Sequence, residues 1–211
     1  MQDHPIPLVT EPLQYRAIGL VRGIYKPTDP NCFTRGILLA DDGQAIEAVV
    51  LGRVLNLMRR HMNIETSHLW VVYPRSRDSN HLHLQISGIW EPSTLALAKQ
   101  NIVDKNKLEK VLIKDELEEG DDYFSIRGEL IYTKPDLNDL VIKVRQKTNS
   151  NGSKKLPFKL RLKGEMSLEY IRNFVSLDVR RKGQELHLEK YNIVGPMLTR
   201  GGKKKQSIFN N

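Results

Sequence analysis

One order of short elements occurs twice along this chain, and few folds accommodate it. Arg16 to Tyr25, RAIGLVRGIY, reads as a strand broken by Gly19 and Gly23, and strand glycines mark bulges or tight bends such as barrel corners. TRGILLA, the turn Asp41-Asp42-Gly43 and QAIEAVVL read as a hairpin. Gly52 to Met62 then sets Val54, Leu55, Met58 and Met62 at helical spacing. HLWVVYP, the polar turn RSRDSN and HLHLQISGIW supply two more strands. From Tyr123 the series starts again. FSIRGELIYTKP matches RAIGLVRGIYKP, with Tyr132 and Pro135 standing where Tyr25 and Pro27 stood. LVIKVRQ and PFKLRLKG follow as strands, and SLEYIRNF as a short helix with Leu168, Ile171 and Phe174 spaced by three. VSLDVRR, a KGQ turn and ELHLEKYNIVGP close the unit. The offset between the two series is about 107 residues at the start and about 104 at the end, as a duplication predicts.

Within the second unit, Leu140 to Lys163 carries the clearest alternation. Leu140, Ile142 and Val144 alternate with Val141, Lys143 and Arg145, and Phe158, Leu160 and Leu162 alternate with Lys159, Arg161 and Lys163. Strand side chains point to opposite faces with a period of two, so each run buries an apolar row and exposes a basic one. The polar loop Thr148 to Lys155 has hairpin composition, which makes the two strands antiparallel neighbours. Pairing them predicts one outward platform carrying Lys143, Arg145, Lys159, Arg161 and Lys163.

Charge follows the same division. The chain carries +8 in all. Met1 to Gln100 holds 10 Lys and Arg against 9 Asp and Glu, Asn101 to Gly120 holds 4 against 6, and Asp121 to Asn211 holds 19 against 10. A positive field confined to one region favours polyanions, nucleic acid first and an acidic protein or lipid surface second. No run reaches the ~18 apolar residues of a membrane helix, and the start lacks the basic and apolar regions of a secretory signal. The single Cys32 excludes an internal disulfide framework and fits a reducing compartment, so the expected location is cytoplasmic.

Strand, strand, strand, helix, strand, strand is the order of the OB-fold, a five-stranded Greek-key barrel with its helix between the third and fourth strands. The chain therefore resembles a tandem OB-fold protein over residues 15–92 and 123–196. Its first half, with YRAIGLVRGIYKPTD, LGRVLNLMRRHM and HLHLQISGIWEP, also resembles an uncharacterised conserved cyanobacterial protein, a likeness that implies no activity. The expected fold class is mainly β, with two OB-like barrels in tandem. Residues 1–14 form an N-terminal extension, 93–122 a helical and acidic connector, and 197–211 a mobile basic tail with Arg200, Lys203, Lys204 and Lys205. The resemblance implies that oligonucleotides or oligosaccharides bind the face built on the second and third strands. In the second unit that face is the platform.

Such a face needs cations to track phosphates and rings on which bases stack. The platform cations are joined by Arg180, Arg181 and Lys182 at the last turn and by the loop lysines Lys154 and Lys155. Tyr132 and Tyr191 are candidate stackers, whereas Phe158 falls in the apolar row. Few outward rings predict backbone-dominated, salt-sensitive binding of single-stranded nucleic acid or structured RNA. The first unit differs. Its ILLA and AIEAVVL strands are apolar on both sides, which predicts cover by the helix, the connector, the second barrel or a protein partner. Arg59, Arg60, His61, Arg75 and Arg77 are expected as its solvated rim. His81 and His83 share a strand face near His61 and His68, but zinc needs three or four converging ligands and the spacing fits no ligand pattern, so no metal or cofactor is expected. There is no P-loop, GxSxG or HExxH, and the acidic run Asp115 to Asp122 reads as solvated or folded back over the platform. The expected function is non-catalytic nucleic-acid binding, the alternative an assembly or adaptor protein serving a nucleoprotein complex.

Overall fold

The computed structural model describes residues 4–77, 81–92, 117–146, 152 and 155–197, and the backbone alone of Arg60, His61 and Arg77. Most of the connector, Lys154 and the basic tail lie outside the described residues. The first unit consists of β1 (Arg16–Asp29), β2 (Cys32–Ala40), β3 (Ala45–Val50), α1 (Gly52–His61), β4 (His68–Arg77) and β5 (His81–Ile89). The second consists of β6 (Tyr123–Lys134), β7 (Asp139–Val144), β8 (Phe158–Lys163), β9 (Asn173–Lys182) and β10 (Glu185–Pro196). The helix expected in SLEYIRNF is a single 3-10 turn, Leu168–Tyr170. Ile171 is already extended, and the Arg172 amide donates to the Leu130 carbonyl at 2.8 Å, so pairing with β6 ends the turn and delivers Phe174 into β9.

Both units repeat one pairing order. The first runs β1-β2-β3-β5-β4 and returns to β1, with β3 and β5 parallel. The second runs β6-β7-β8-β10-β9 and returns to β6, its parallel closure being the bridge His187↔Lys163. Inward rows fill each barrel. Leu140, Ile142, Val144, Leu160 and Leu162 are all buried, each contributing about 1.5–3 kcal/mol by leaving water. In the first barrel Trp70 is fully buried, donates its indole N–H to the Gly23 carbonyl at 2.8 Å and meets Tyr25 edge-on. Val54 and Met58 turn the apolar stripe of α1 onto that core.

The two barrels are welded rather than tethered. β1 pairs with β6 over Arg16↔Arg127 to Gly19↔Phe124, so the sheet runs through ten strands. Only glycine fits at residue 19, because a Cβ there would run into the Phe124 ring. Arg181 clamps the seam. It donates to Asp122 at 2.6 Å, to Asp42 in the first barrel's β2–β3 turn at 3.0 Å, and to the Gly183 carbonyl at 2.9 Å. Gln184 adds a bond to the Ala45 carbonyl at 2.6 Å, and Arg22 pairs with Asp121 at 2.7 Å. The extension also packs: Ile6 joins Ile18, Leu20, Leu69 and Val71 in a second apolar cluster on which Trp90, Leu117 and Tyr123 lie.

Candidate nucleic-acid interface

Antiparallel register sets the outward face of β7 and β8 row by row: Asp139 opposite Lys163, Val141 opposite Arg161, and Lys143 opposite Lys159. β6 extends two of these rows. Tyr132 pairs with Val141 and Glu129 with Lys143, after a register shift between Leu130 and Tyr132. Tyr132 is 44% exposed and stands in line with Arg161. The alternation thus brings Lys143, Lys159, Arg161 and Lys163 to one face. Arg145 lies just beyond the end of β7.

The face is less positive than its cations suggest. Asp139, 6% exposed, lies beneath Arg161 and Lys163 and accepts from each at 2.9 Å. Hydrogen bonds from Lys163 and then Arg161 hold its carboxyl below the usual carboxylate range. Lys143 donates to Glu129 at 3.1 Å, which offsets the unfavourable placement of two lysines directly opposite each other. Lys159 is exposed and has no ion-pair partner among the described residues. Asp139 was missed in the sequence although period two places it in the outward row. It stands one residue before the run of alternation.

The remaining candidates separate. Arg181 is 3% exposed and committed to Asp122 and Asp42, so it is a seam residue and not a phosphate contact. Arg180 pairs with Glu189 at 3.1 Å and donates to the Glu119 and Asp121 carbonyls, holding the end of the connector. That connector end does not cover the platform: Glu119 pairs with His4, Asp121 with Arg22 and Asp122 with Arg181. Tyr191 is 45% exposed and packs against Tyr170 instead of standing beside the cations. Lys154 lies outside the described residues.

Arg145 and Lys155 turn to the seam between the barrels. There they line a cleft of about 380 Å³ with Tyr15, Arg16, Tyr73, Arg75 and Phe158. Arg75, expected on a solvated rim, is half-buried with its guanidinium 3.9 Å over the Phe158 ring, and burial pushes its pKa down. Phe158 is half-buried at the edge of the core. Sequence periodicity could not find this cleft, because β4 and β8 approach only in the folded pair of barrels, where the Arg161 amide donates to the Ser76 hydroxyl at 3.1 Å.

On the first barrel the apolar outward row of β2 and β3 is partly open to solvent. Ile37 is 43% exposed, and Leu39 and Val49 are half-buried. Among the described residues no three His, Cys, Asp or Glu side chains converge as a metal site. His68 hydrogen-bonds Glu91 and the Asn63 carbonyl, and His83 lies 3.9 Å from Glu47. No described helix is long and apolar enough to cross a membrane.

Comparison with known proteins agrees with this architecture. None of the curated proteins compared with the chain matches it. Residues 17–97 match the family model described as PatR RNA-binding protein, N-terminal OB-fold domain. Residues 126–195 match the model described as cyanobacterial OB-fold-like RNA-binding domain, C-terminal. With both barrels matched in order, the chain belongs to the PatR RNA-binding protein family.

Proposed function

We propose that the protein binds RNA, single-stranded or structured, as a non-catalytic module whose domains are residues 15–92 and 123–196. Its RNA-binding surface is the outward face of β7 and β8, with Lys143, Lys159, Arg161 and Lys163 on phosphates, Tyr132 offering a ring and Arg145 and Lys155 flanking. The observation that carries this is the register, which lays four cations and one exposed ring over an apolar core layer. Family membership supports RNA as the polyanion.

Anisotropy titrations with unrelated RNAs at several salt concentrations test it. Affinity falls log-linearly with salt, by about 0.7 per single-strand phosphate contact. Lys143→Ala with Lys159→Ala lowers affinity for every RNA alike and flattens the slope by about 1.4. Affinity indifferent to both salt and this double substitution overturns the reading. A protein contact at the first barrel is a second reading, favoured by exposed Ile37 beside a cleft of about 510 Å³. Ile37→Glu would abolish such a contact and leave RNA affinity unchanged.

A further inference from the structure

The cleft between the barrels differs from the platform in chemistry. Its cations face neutral groups. Arg16 donates to the Pro7 carbonyl at 2.6 Å and to the Ser125 hydroxyl at 2.5 Å, and no carboxylate pairs with it among the described residues. Arg127, directly across the β1–β6 ladder, is held by the Pro12 and Gln14 carbonyls and the Ser176 hydroxyl. Two guanidiniums are thus fixed at the seam by neutral acceptors, with no carboxylate within ion-pair distance among the described residues. Arg75 donates to the carbonyl of its neighbour Pro74, and Arg145 lies 5.6 Å from the Tyr15 ring centre. The Tyr15 hydroxyl and the Arg16 Nε are buried without a hydrogen-bond partner among the described residues. An unmade bond of this kind is costly, and a ligand that supplies the acceptor removes the cost.

We propose that this cleft holds one nucleotide of a bound RNA, its base among Tyr15, Tyr73 and Phe158 and its phosphate between Arg145 and Lys155. The inference deepens the RNA-binding reading and rests on it for the source of the nucleotide. Size and chemistry both select the ligand. At about 380 Å³ the space lies low in the range of small-molecule sites, so it admits a single nucleotide and excludes a duplex. Several rings together give a broader sequence-tolerant stacking surface than the platform's single Tyr132, and Arg75, already stacked on Phe158, extends it with a planar cation. An acceptor on the base or ribose completes the Tyr15 hydroxyl.

Two probes, a short single-stranded RNA and adenosine monophosphate, are titrated by amide NMR. The proteins compared are the wild type, Lys143→Ala/Lys159→Ala and Tyr15→Phe/Arg75→Gln. Tyr15→Phe keeps the ring that meets Phe174 edge-on at 5.0 Å, and unfolding midpoints check that both variants fold. The mononucleotide shifts the amides of Tyr15, Tyr73 and Phe158 in the wild type and the platform variant, and not in the cleft variant. RNA affinity falls about tenfold in the cleft variant, the loss of one hydrogen bond and one stacked guanidinium. RNA that binds while the mononucleotide leaves those amides unmoved overturns the pocket. The mononucleotide seated without any RNA binding supports the pocket and sinks the platform, and neither probe binding sinks both.

Discussion

Asp139→Asn separates the charge of the platform from its shape. Asp139 lies under Arg161 and Lys163 at 2.9 Å from each, so a phosphate on the far side of either cation stands about 6 Å from the carboxylate. Repulsion at ~6 Å is about 0.7 kcal/mol in bulk water and about 2.8 kcal/mol at an effective dielectric near 20. Arg161 and Lys163 are 39% and 32% exposed, so the lower end applies. The substitution is therefore expected to tighten RNA binding by roughly three- to tenfold and to steepen the salt slope by about 0.7 for each phosphate newly engaged. It also costs stability. The amide keeps one acceptor for one of the two cations, and losing the charge-assisted remainder costs about 1–2 kcal/mol. The pH dependence has a definite sign. The folded carboxyl titrates below its unfolded value near ~3.9, so its contribution is complete above that pH and is lost as pH falls through the folded value. The stability difference between wild type and variant shrinks on acidification through this window. Anisotropy across salt and denaturant melts at neutral and acid pH make the measurement. A folded variant with unchanged affinity and slope would refute the placement of RNA on this face.

Two further substitutions probe the scaffold. Arg181→Met leaves Asp122 and Asp42 without their cation. A broken buried pair costs about 3–5 kcal/mol, and the partial exposure of both carboxylates, 26% and 40%, lowers this to about 2–3 kcal/mol. The melting temperature should drop by about 4–12 °C with RNA affinity unchanged in the folded protein, and an unchanged melt would remove Arg181 as the clamp. Gly128→Ala places a Cβ 2.5 Å from the Lys143 carbonyl oxygen and 2.8 Å from Ile142, prising β6 from β7 at about 1–3 kcal/mol by chemical denaturation. Gly52→Ala at the start of α1 meets nothing within 4 Å and should instead stabilise by about 0.4–1 kcal/mol, which makes it the matched control.

Period two made the second unit's hairpin legible, because burial on one face forces the alternation that Leu140, Ile142, Leu160 and Leu162 display. The repeated order made the barrel legible, since short turns and one intervening helix leave few ways to pair five strands. Partners distant in the chain were another matter. Arg181 and Asp42 are separated by 139 residues, and nothing local to RRKGQ distinguishes an arginine sealed at a seam from one on a rim. Arg75 and Phe158 meet only because the β1–β6 ladder joins the two barrels. Charge counting read Arg161 and Lys163 as free because it counts residues and not contacts, whereas the register brings Asp139 under both.

That register divides the positive surface into two kinds of cation. A phosphate arriving at Arg161 or Lys163 shares them with Asp139, and at Lys143 with Glu129. The existing pairs hold these side chains in place, so little rotamer entropy is lost on contact, but the electrostatic gain is reduced. Arg145 and Lys155 have no carboxylate partner among the described residues, and beside Arg145 the Tyr15 hydroxyl is unbonded. A phosphate there displaces nothing. Per cation, then, the seam and Lys159 should add more to affinity and the paired platform cations more to orientation. The β1–β6 ladder fixes the distance between them, so an RNA engaging both has to match a spacing set by the protein and not by a flexible linker.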